Sequence, residues 1–128
     1  MEDELLPPVQ VVLYKEDDEI VPVLDWLDQL PIKVQDKCAA RVNRLMELGH
    51  ELRRPEADYL RDGIYELRVR YLHANYRMLY FFSRNQAVVL THGLIKERRV
   101  PPSEIDRAMT LRKRFEADPE SHTVQWER

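Results

Sequence analysis

The sequence contains a single cysteine, Cys38, and no apolar run that approaches the roughly 18 residues needed to cross a bilayer as a helix. One cysteine permits neither an internal disulfide nor a zinc site built from cysteines. The first ten residues are acidic and include two prolines, so they lack the basic start and apolar stretch of a secretory signal. We therefore expect a cytoplasmic protein without a membrane anchor, a metal site or a small-molecule cofactor.

The composition predicts one compact domain. The chain has 128 residues, of which 44% are hydrophobic and 34% charged, and this balance excludes a disordered chain. We expect a single domain over residues 1–128, with a core at about 9–115 and a polar tail at 118–128. Val124 and Trp126 in that tail are apolar enough to pack on the domain or on a partner.

Charge is distributed unevenly along the chain. The net charge is −3, yet residues 63–99 contain seven Lys and Arg against two Asp and Glu, whereas residues 1–30 contain one basic and nine acidic residues. The basic segment also holds six of the eleven aromatic residues. Interleaved cations and aromatics suit contacts to phosphates and bases, although aromatics also fill the cores of sheets. The acidic start argues against a general nucleic-acid binder.

Hydrophobic periodicity predicts an α+β fold. Residues 64–70 alternate between apolar and charged side chains, which is typical of a half-exposed strand. Residues 76–82 form a dense apolar run, as in a central strand, and Arg77 within it requires a partner or a site. The remaining predictions are a strand at 9–14, a helical hairpin over 20–48, a loop at 50–63, a third meander strand at 87–95 and a helix at 103–115.

Three segments carry a resemblance to a known family. They are GIYELRVRY at Gly63–Tyr71, NYRMLYFF at Asn75–Phe82 and VVLTHGLIKERRVPPSEIDRA at Val88–Ala108. In this order and spacing the chain resembles the RelE/ParE toxin superfamily, and within it the HigB or phage Gp49-like branch, over roughly residues 9–115. The resemblance implies a RelE-like α+β fold, in which an N-terminal strand and a helical hairpin pack on an antiparallel sheet with a three-stranded meander and a C-terminal helix.

The same resemblance implies a toxin of a type II toxin–antitoxin pair that cleaves mRNA on the ribosome. Its partners would then be a helix-turn-helix antitoxin of the HigA type, the ribosome and mRNA. Such an endoribonuclease does not require metal, because the ribose 2′-hydroxyl can attack the adjacent phosphorus. The reaction needs a base, an acid and fixed cations that offset the charge developing on the phosphoryl oxygens.

Four residues are the catalytic candidates. Arg68, Arg77 and Lys96 come from neighbouring predicted strands, and arginine's planar fork can bind two phosphate oxygens at once. His92 is the candidate proton carrier, because imidazole exchanges protons near neutral pH and four residues along a strand place His92 and Lys96 on one side. The alternative is that His92 is a half-buried structural histidine.

Further residues are assigned supporting roles. Glu66 lies two residues from Arg68 on the same side of the strand and is either a base or a carboxylate that orients an arginine. Arg70, Arg98 and Arg99 are candidate phosphate contacts. The histidines at 50, 73 and 122 are given no role.

Two other functions remain open. A ParE-like toxin would inhibit DNA gyrase by binding alone, and its cations would then serve contacts. An inactive member of the same fold would persist as an interaction module. Growth arrest with or without new mRNA ends distinguishes cleavage from gyrase inhibition.

Overall fold

The computed structural model describes residues 9–84, 87–96 and 98–127, so the predicted domain's residues 1–8 and 128 lie outside it. Among the described residues, the strands are β1 (Val11–Tyr14), β2 (Ala57–Arg61), β3 (Ile64–Tyr71), β4 (Ala74–Phe82), β5 (Val88–Ile95) and β6 (Thr123–Gln125). The helices are α1 (Pro22–Asp28), α2 (Ile32–Leu48) and α3 (Pro102–Ala117), with short 3₁₀ helices at Gly49–Glu51 and Pro119–His122. None of these helices combines the length and the apolarity that spanning a membrane requires.

Prolines and one glycine set the helix boundaries. Pro22 and Pro102 are the first residues of α1 and α3, where a fixed φ suits the helix and the missing N–H costs nothing. Pro31 directly precedes α2, and Gly49 ends it with a φ of 53°, in the left-handed region that favours glycine. These boundaries produce the predicted hairpin of α1 and α2.

The strands form one sheet in the order β2-β3-β4-β5-β1-β6. The antiparallel meander of β3, β4 and β5 confirms the sequence prediction. Two strands were not predicted. β2 lies where a loop was predicted, at 50–63, and β6 lies in the predicted tail at 118–128. β1 runs parallel to β5 and antiparallel to β6, so the tail completes one edge of the sheet.

Helices cover both faces of the sheet. The hairpin of α1 and α2 packs on one face through a core that includes Leu27, Cys38, Leu45, Leu67, Met78 and Tyr80. α3 packs on the other, here called the α3 face, through a core that includes Ile64, Leu79, Phe81, Leu94, Ile105 and Phe115. Each such apolar side chain contributes about 1.5–3 kcal/mol on burial. β4 is buried from both sides, which confirms its prediction as a central strand.

Candidate nucleic-acid interface

Arg68 and Arg77 are neighbours on one face of the sheet. Arg68 in β3 lies directly opposite Arg77 in β4, and Arg77 lies opposite Leu94 in β5. Directly opposed residues of antiparallel strands project from the same face. Since Leu94 belongs to the core beneath α3, both arginines lie on the α3 face.

Arg77 is buried together with Glu66. Its Nη1 donates to Glu66 Oε1 at 2.7 Å, and the two side chains are only 7% and 5% exposed. Arg77 Nε is also buried and has no hydrogen-bond partner among the described residues. A charge removed from water needs an opposite charge nearby, so Glu66 holds the guanidinium in place. This geometry gives Glu66 the orienting role of its two predicted alternatives.

A cleft of about 350 Å³ opens beside Arg77 and is called the arginine cleft. Its lining comprises Arg41, Pro55, Glu56, Arg68, Val69, Arg70, Asn75, Tyr76 and Arg77. Arg41 reaches over from α2 and donates through Nη1 to the main-chain oxygen of Arg68. The carboxylate of Glu56 is 3.0 Å from Arg44, whose hydrogen bond lowers the Glu56 pKa. That single carboxylate is already paired, so positive charge dominates the cleft.

A second cleft, here called the lysine cleft, adjoins the first and measures about 620 Å³. Its lining comprises His73, Ala74, Asn75, Ile95, Lys96, Arg98, Arg99 and Pro101, so the two clefts share Asn75. The main-chain N–H of Lys96 donates to the oxygen of Asn75 at 3.1 Å, which fixes the end of β5 beside the start of β4. Lys96, Arg98 and Arg99 are exposed there. The sequence predicted six cations and one histidine for the site. The joined clefts bring together all six cations but not His92.

His92 lies apart from this basic surface. Its side chain is buried, with Nε2 2.9 Å from Glu104 Oε1 and Nδ1 3.1 Å from Thr91 Oγ1. It lines a different cleft, beside Trp26 and Arg107. Burial lowers the His92 pKa, and the nearby charge of Arg107 lowers it further against the opposing effect of Glu104. His92 is thus a buried, hydrogen-bonded imidazole between β5 and α3.

Burial under α3 accounts for this placement, and an irregularity in β5 lies next to it. Met78 pairs with Gly93, but Tyr80 pairs with Leu90, so β5 contains one residue more than β4 over this stretch. The extra residue interrupts the two-residue alternation between Leu90 and Gly93, but alternation is regular from His92 through Leu94. His92 and Leu94 both lie on the α3 face, which agrees with the common side predicted for His92 and Lys96. The two residues His92 and Lys96 line different clefts because His92 is buried under α3, whereas Lys96 is exposed at the end of β5.

A family comparison agrees with the fold. The family model described as phage-derived protein Gp49-like (DUF891) matches residues 25–113. The chain belongs to this family. Gp49-like proteins are a RelE/ParE-like toxin branch, so the predicted resemblance is confirmed. The matched segment includes every cation of the two basic clefts of this Gp49-like protein. No curated protein matches the chain.

Two residues of the Gp49-like basic surface were missing from the sequence prediction. Arg41 lies on α2, and the pattern of α2 predicts which of its sides is buried but not that one of its cations reaches β3. His73 lies in the turn between β3 and β4, is exposed and lines the lysine cleft. Its position between two paired strands was the available signal, because Tyr71 and Ala74 close the hairpin around it.

Proposed function

We propose that this Gp49-like protein is the toxin of a type II toxin–antitoxin pair and cleaves mRNA on the ribosome as a metal-independent endoribonuclease. The observation that carries the proposal is the joined pair of clefts, which gather seven cations: Arg41, Arg68, Arg70, Arg77, Lys96, Arg98 and Arg99. Cations at this density suit the phosphates of a nucleic-acid backbone. The toxin family supports the biological role.

The proposed reaction is an internal transfer at phosphorus. The ribose 2′-oxygen loses its proton to a base and bonds to the adjacent phosphorus, while the bond from phosphorus to the 5′-oxygen breaks. An acid protonates that leaving oxygen, so the products are a 2′,3′-cyclic phosphate and a 5′-hydroxyl. Arg68 and Lys96 line the surface of the clefts and would offset the charge on the phosphoryl oxygens. Arg77 lies below them with its charge paired to that of Glu66.

The geometry favours His73 over His92 as the proton carrier. His73 is exposed in the lysine cleft beside Lys96 and Arg98, whereas the His92 side chain is 1% exposed and already bonded to Glu104 and Thr91. A proton carrier must come within hydrogen-bond distance of the substrate. We assign His92 instead to the contact between β5 and α3.

Mapping of transcript ends in cells tests the proposal. After induction of the wild-type protein we expect growth arrest and new mRNA 5′ ends within coding regions. Arg68→Ala and His73→Gln should each reduce cleavage by at least about 100-fold, the typical contribution of one charged donor or one proton carrier. Arg114→Ala on α3 is the matched control, because Arg114 is an exposed arginine outside both basic clefts.

The opposite outcomes are distinct. Arrest without new transcript ends would reject cleavage and favour the gyrase alternative. Equal cleavage by the Arg68 and Arg114 variants would reject the assignment of the site.

The proposal includes a helix-turn-helix antitoxin of the HigA type that keeps the toxin inactive. An antitoxin that covers the basic clefts would exclude RNA directly. Co-expression with such an antitoxin should then restore growth and abolish the new transcript ends.

A further inference from the structure

A third cleft lies beside the arginine cleft and is called the tyrosine cleft. It measures about 470 Å³, and its lining includes His50, Arg53, Arg54, Asp58, Tyr59 and Tyr65. Tyr59 is 52% exposed even though it is one of the largest side chains in the protein. Cations and aromatic rings are therefore combined here at the surface, outside the clefts assigned to phosphate.

The ring of Tyr59 is fixed in place. Its edge packs against Tyr65 with the ring centroids 5.0 Å apart and the planes at 71°. At the other end of the side chain, the hydroxyl accepts a hydrogen bond from the Gly63 N–H at 3.0 Å. A ring held at both ends loses little conformational freedom when a ligand binds to it.

The surroundings of Tyr59 suit a flat ligand attached to an anionic backbone. The exposed ring of His50 stacks on Phe82 with centroids 3.5 Å apart and planes at 16°, and so adds a second planar group to the cleft. Arg53 and Arg54 are both exposed at its border, and Arg54 is held by Asp58 at 2.7 Å. Aromatic rings with neighbouring arginines are how proteins bind single-stranded nucleic acid, since every base has a face that stacks.

The tyrosine cleft and the arginine cleft border the same backbone segment. Pro55 and Glu56 line the arginine cleft, and the residues on either side of them line the tyrosine cleft. The main-chain oxygen of Glu56 also accepts the Arg68 N–H at 2.8 Å, which ties this segment to β3. Tyr59 lies opposite Tyr65 on the face that α2 covers, and Arg41 of α2 lines the arginine cleft from that face. A strand whose phosphate lies at Arg41 therefore needs to cross only this segment to reach Tyr59.

We propose that the tyrosine cleft binds an unstacked base of the same single-stranded RNA whose phosphates occupy the basic clefts. The inference rests on the proposed function, and it names a subsite that the cleavage chemistry does not require. Tyr59 supplies the stacking surface, and Arg53 contacts the adjoining phosphate.

Fluorescence of a modified RNA tests this subsite. The probe is a short single-stranded RNA that is 2′-O-methylated to prevent cleavage and carries 2-aminopurine at one position, which is moved along the series. Stacking on a ring quenches 2-aminopurine, and a dye at the RNA end reports total binding by anisotropy. We expect quenching at one position. Tyr59→Leu should abolish that quenching and weaken binding roughly 5-fold or more, the loss of one base–aromatic stack.

Matched variants separate stacking from other effects. Tyr59→Phe keeps the ring and should keep the quenching, and Tyr71→Leu removes a tyrosine outside the clefts and should change neither signal. Tyr59→Thr also removes the ring with a residue that favours strands, so the test holds if the leucine variant fails to fold. Arg68→Ala should weaken binding while the quenching at saturation remains.

Two results would overturn the inference. One is unchanged quenching and affinity in the folded Tyr59 variants that lack a ring. The other is the absence of any binding of the probe by the wild-type protein at low salt. The first result, with transcript cleavage in cells retained, overturns the subsite alone. The second also counts against the basic clefts, and transcript mapping in cells then tests the proposed function separately.

Discussion

The buried pair of Glu66 and Arg77 is the residue-scale feature with the largest energetic consequence. Both side chains are withdrawn from water, so each charge depends on the other. Sequence patterning predicted part of this arrangement, since alternation along β3 places Glu66 and Arg68 on one side and the apolar run of β4 requires a partner for Arg77. It did not predict how deeply the pair is buried, because that depends on elements distant in the sequence.

We expect Glu66→Leu and Arg77→Met each to lower the free energy of unfolding by about 3 kcal/mol, because each leaves one buried charge unpaired. The double variant should recover most of that loss, since no charge remains buried, while it loses RNA cleavage because Arg77 is absent. Urea denaturation of the four proteins measures the coupling.

The matched control for this cycle is an exposed pair. Arg112 Nε lies 3.0 Å from Glu116 on α3, and both side chains are about one-third exposed. Glu116→Gln should cost less than about 1 kcal/mol, as surface pairs do. A double variant whose loss equals the sum of the two single losses would show that Glu66 and Arg77 are not coupled.

At the scale of elements, the two strands that the sequence did not predict are those with little alternation of apolar and polar residues. β2 contains Asp58 and Arg61 among its five residues, and β6 has only three residues. Contacts from elsewhere in the chain hold β6, including the hydrogen bond of Trp126 Nε1 to Asn43 at 3.1 Å and the stacking of His122 on Tyr14. Such contacts between distant segments carry no local signature.

The irregularity in β5 did have a local signal. A side chain at Gly93 would meet the ring of Trp26, so only glycine fits where α1 approaches the sheet. An isolated glycine in a strand pattern indicates a bulge or a close approach of this kind. The irregularity does not separate His92 from Lys96, because the extra residue precedes Gly93 and both His92 and Leu94 lie on the α3 face.

The contact of β5 with α3 should weaken in acid through His92. Because burial and Arg107 lower the His92 pKa, the unfolded chain binds this proton more readily than the folded protein does. The contribution of His92 to the free energy of unfolding is therefore fully present above the ordinary histidine pKa of about 6.5. It is lost as pH falls from there toward the lowered pKa, by at most about 1.4 kcal/mol per pH unit. Urea denaturation at a series of pH values between 8 and 5 measures this loss as the slope of the free energy of unfolding against pH.

His92→Gln is the comparison for this prediction, since glutamine keeps a polar group opposite Glu104 and does not titrate. Carboxylates other than Glu104 contribute equally to both proteins, so the difference between their pH profiles reports His92 together with its partner Glu104. Parallel profiles would contradict the prediction.

At the scale of the whole molecule, charge of opposite sign is concentrated on separate surfaces. The cleft that contains His92 is also lined by Glu16, Asp17, Asp18 and Asp25, whereas cations dominate the arginine and lysine clefts. Exposed charges are screened beyond about 8 Å at physiological salt. A protein with a net charge of −3 can therefore bind RNA through a local basic surface.

This charge separation predicts how binding of a short single-stranded RNA depends on salt. Each phosphate contacted contributes a slope of about −0.7 to the plot of log affinity against log salt concentration. Arg68→Ala removes a cation from the arginine cleft and should make the slope shallower by about 0.7, whereas Arg114→Ala should leave it unchanged, because Arg114 pairs with Glu16 away from the basic clefts. Anisotropy titrations over a series of salt concentrations measure both slopes. Equal slopes for the two variants would mean that net charge, and not the arrangement of the clefts, governs association with RNA.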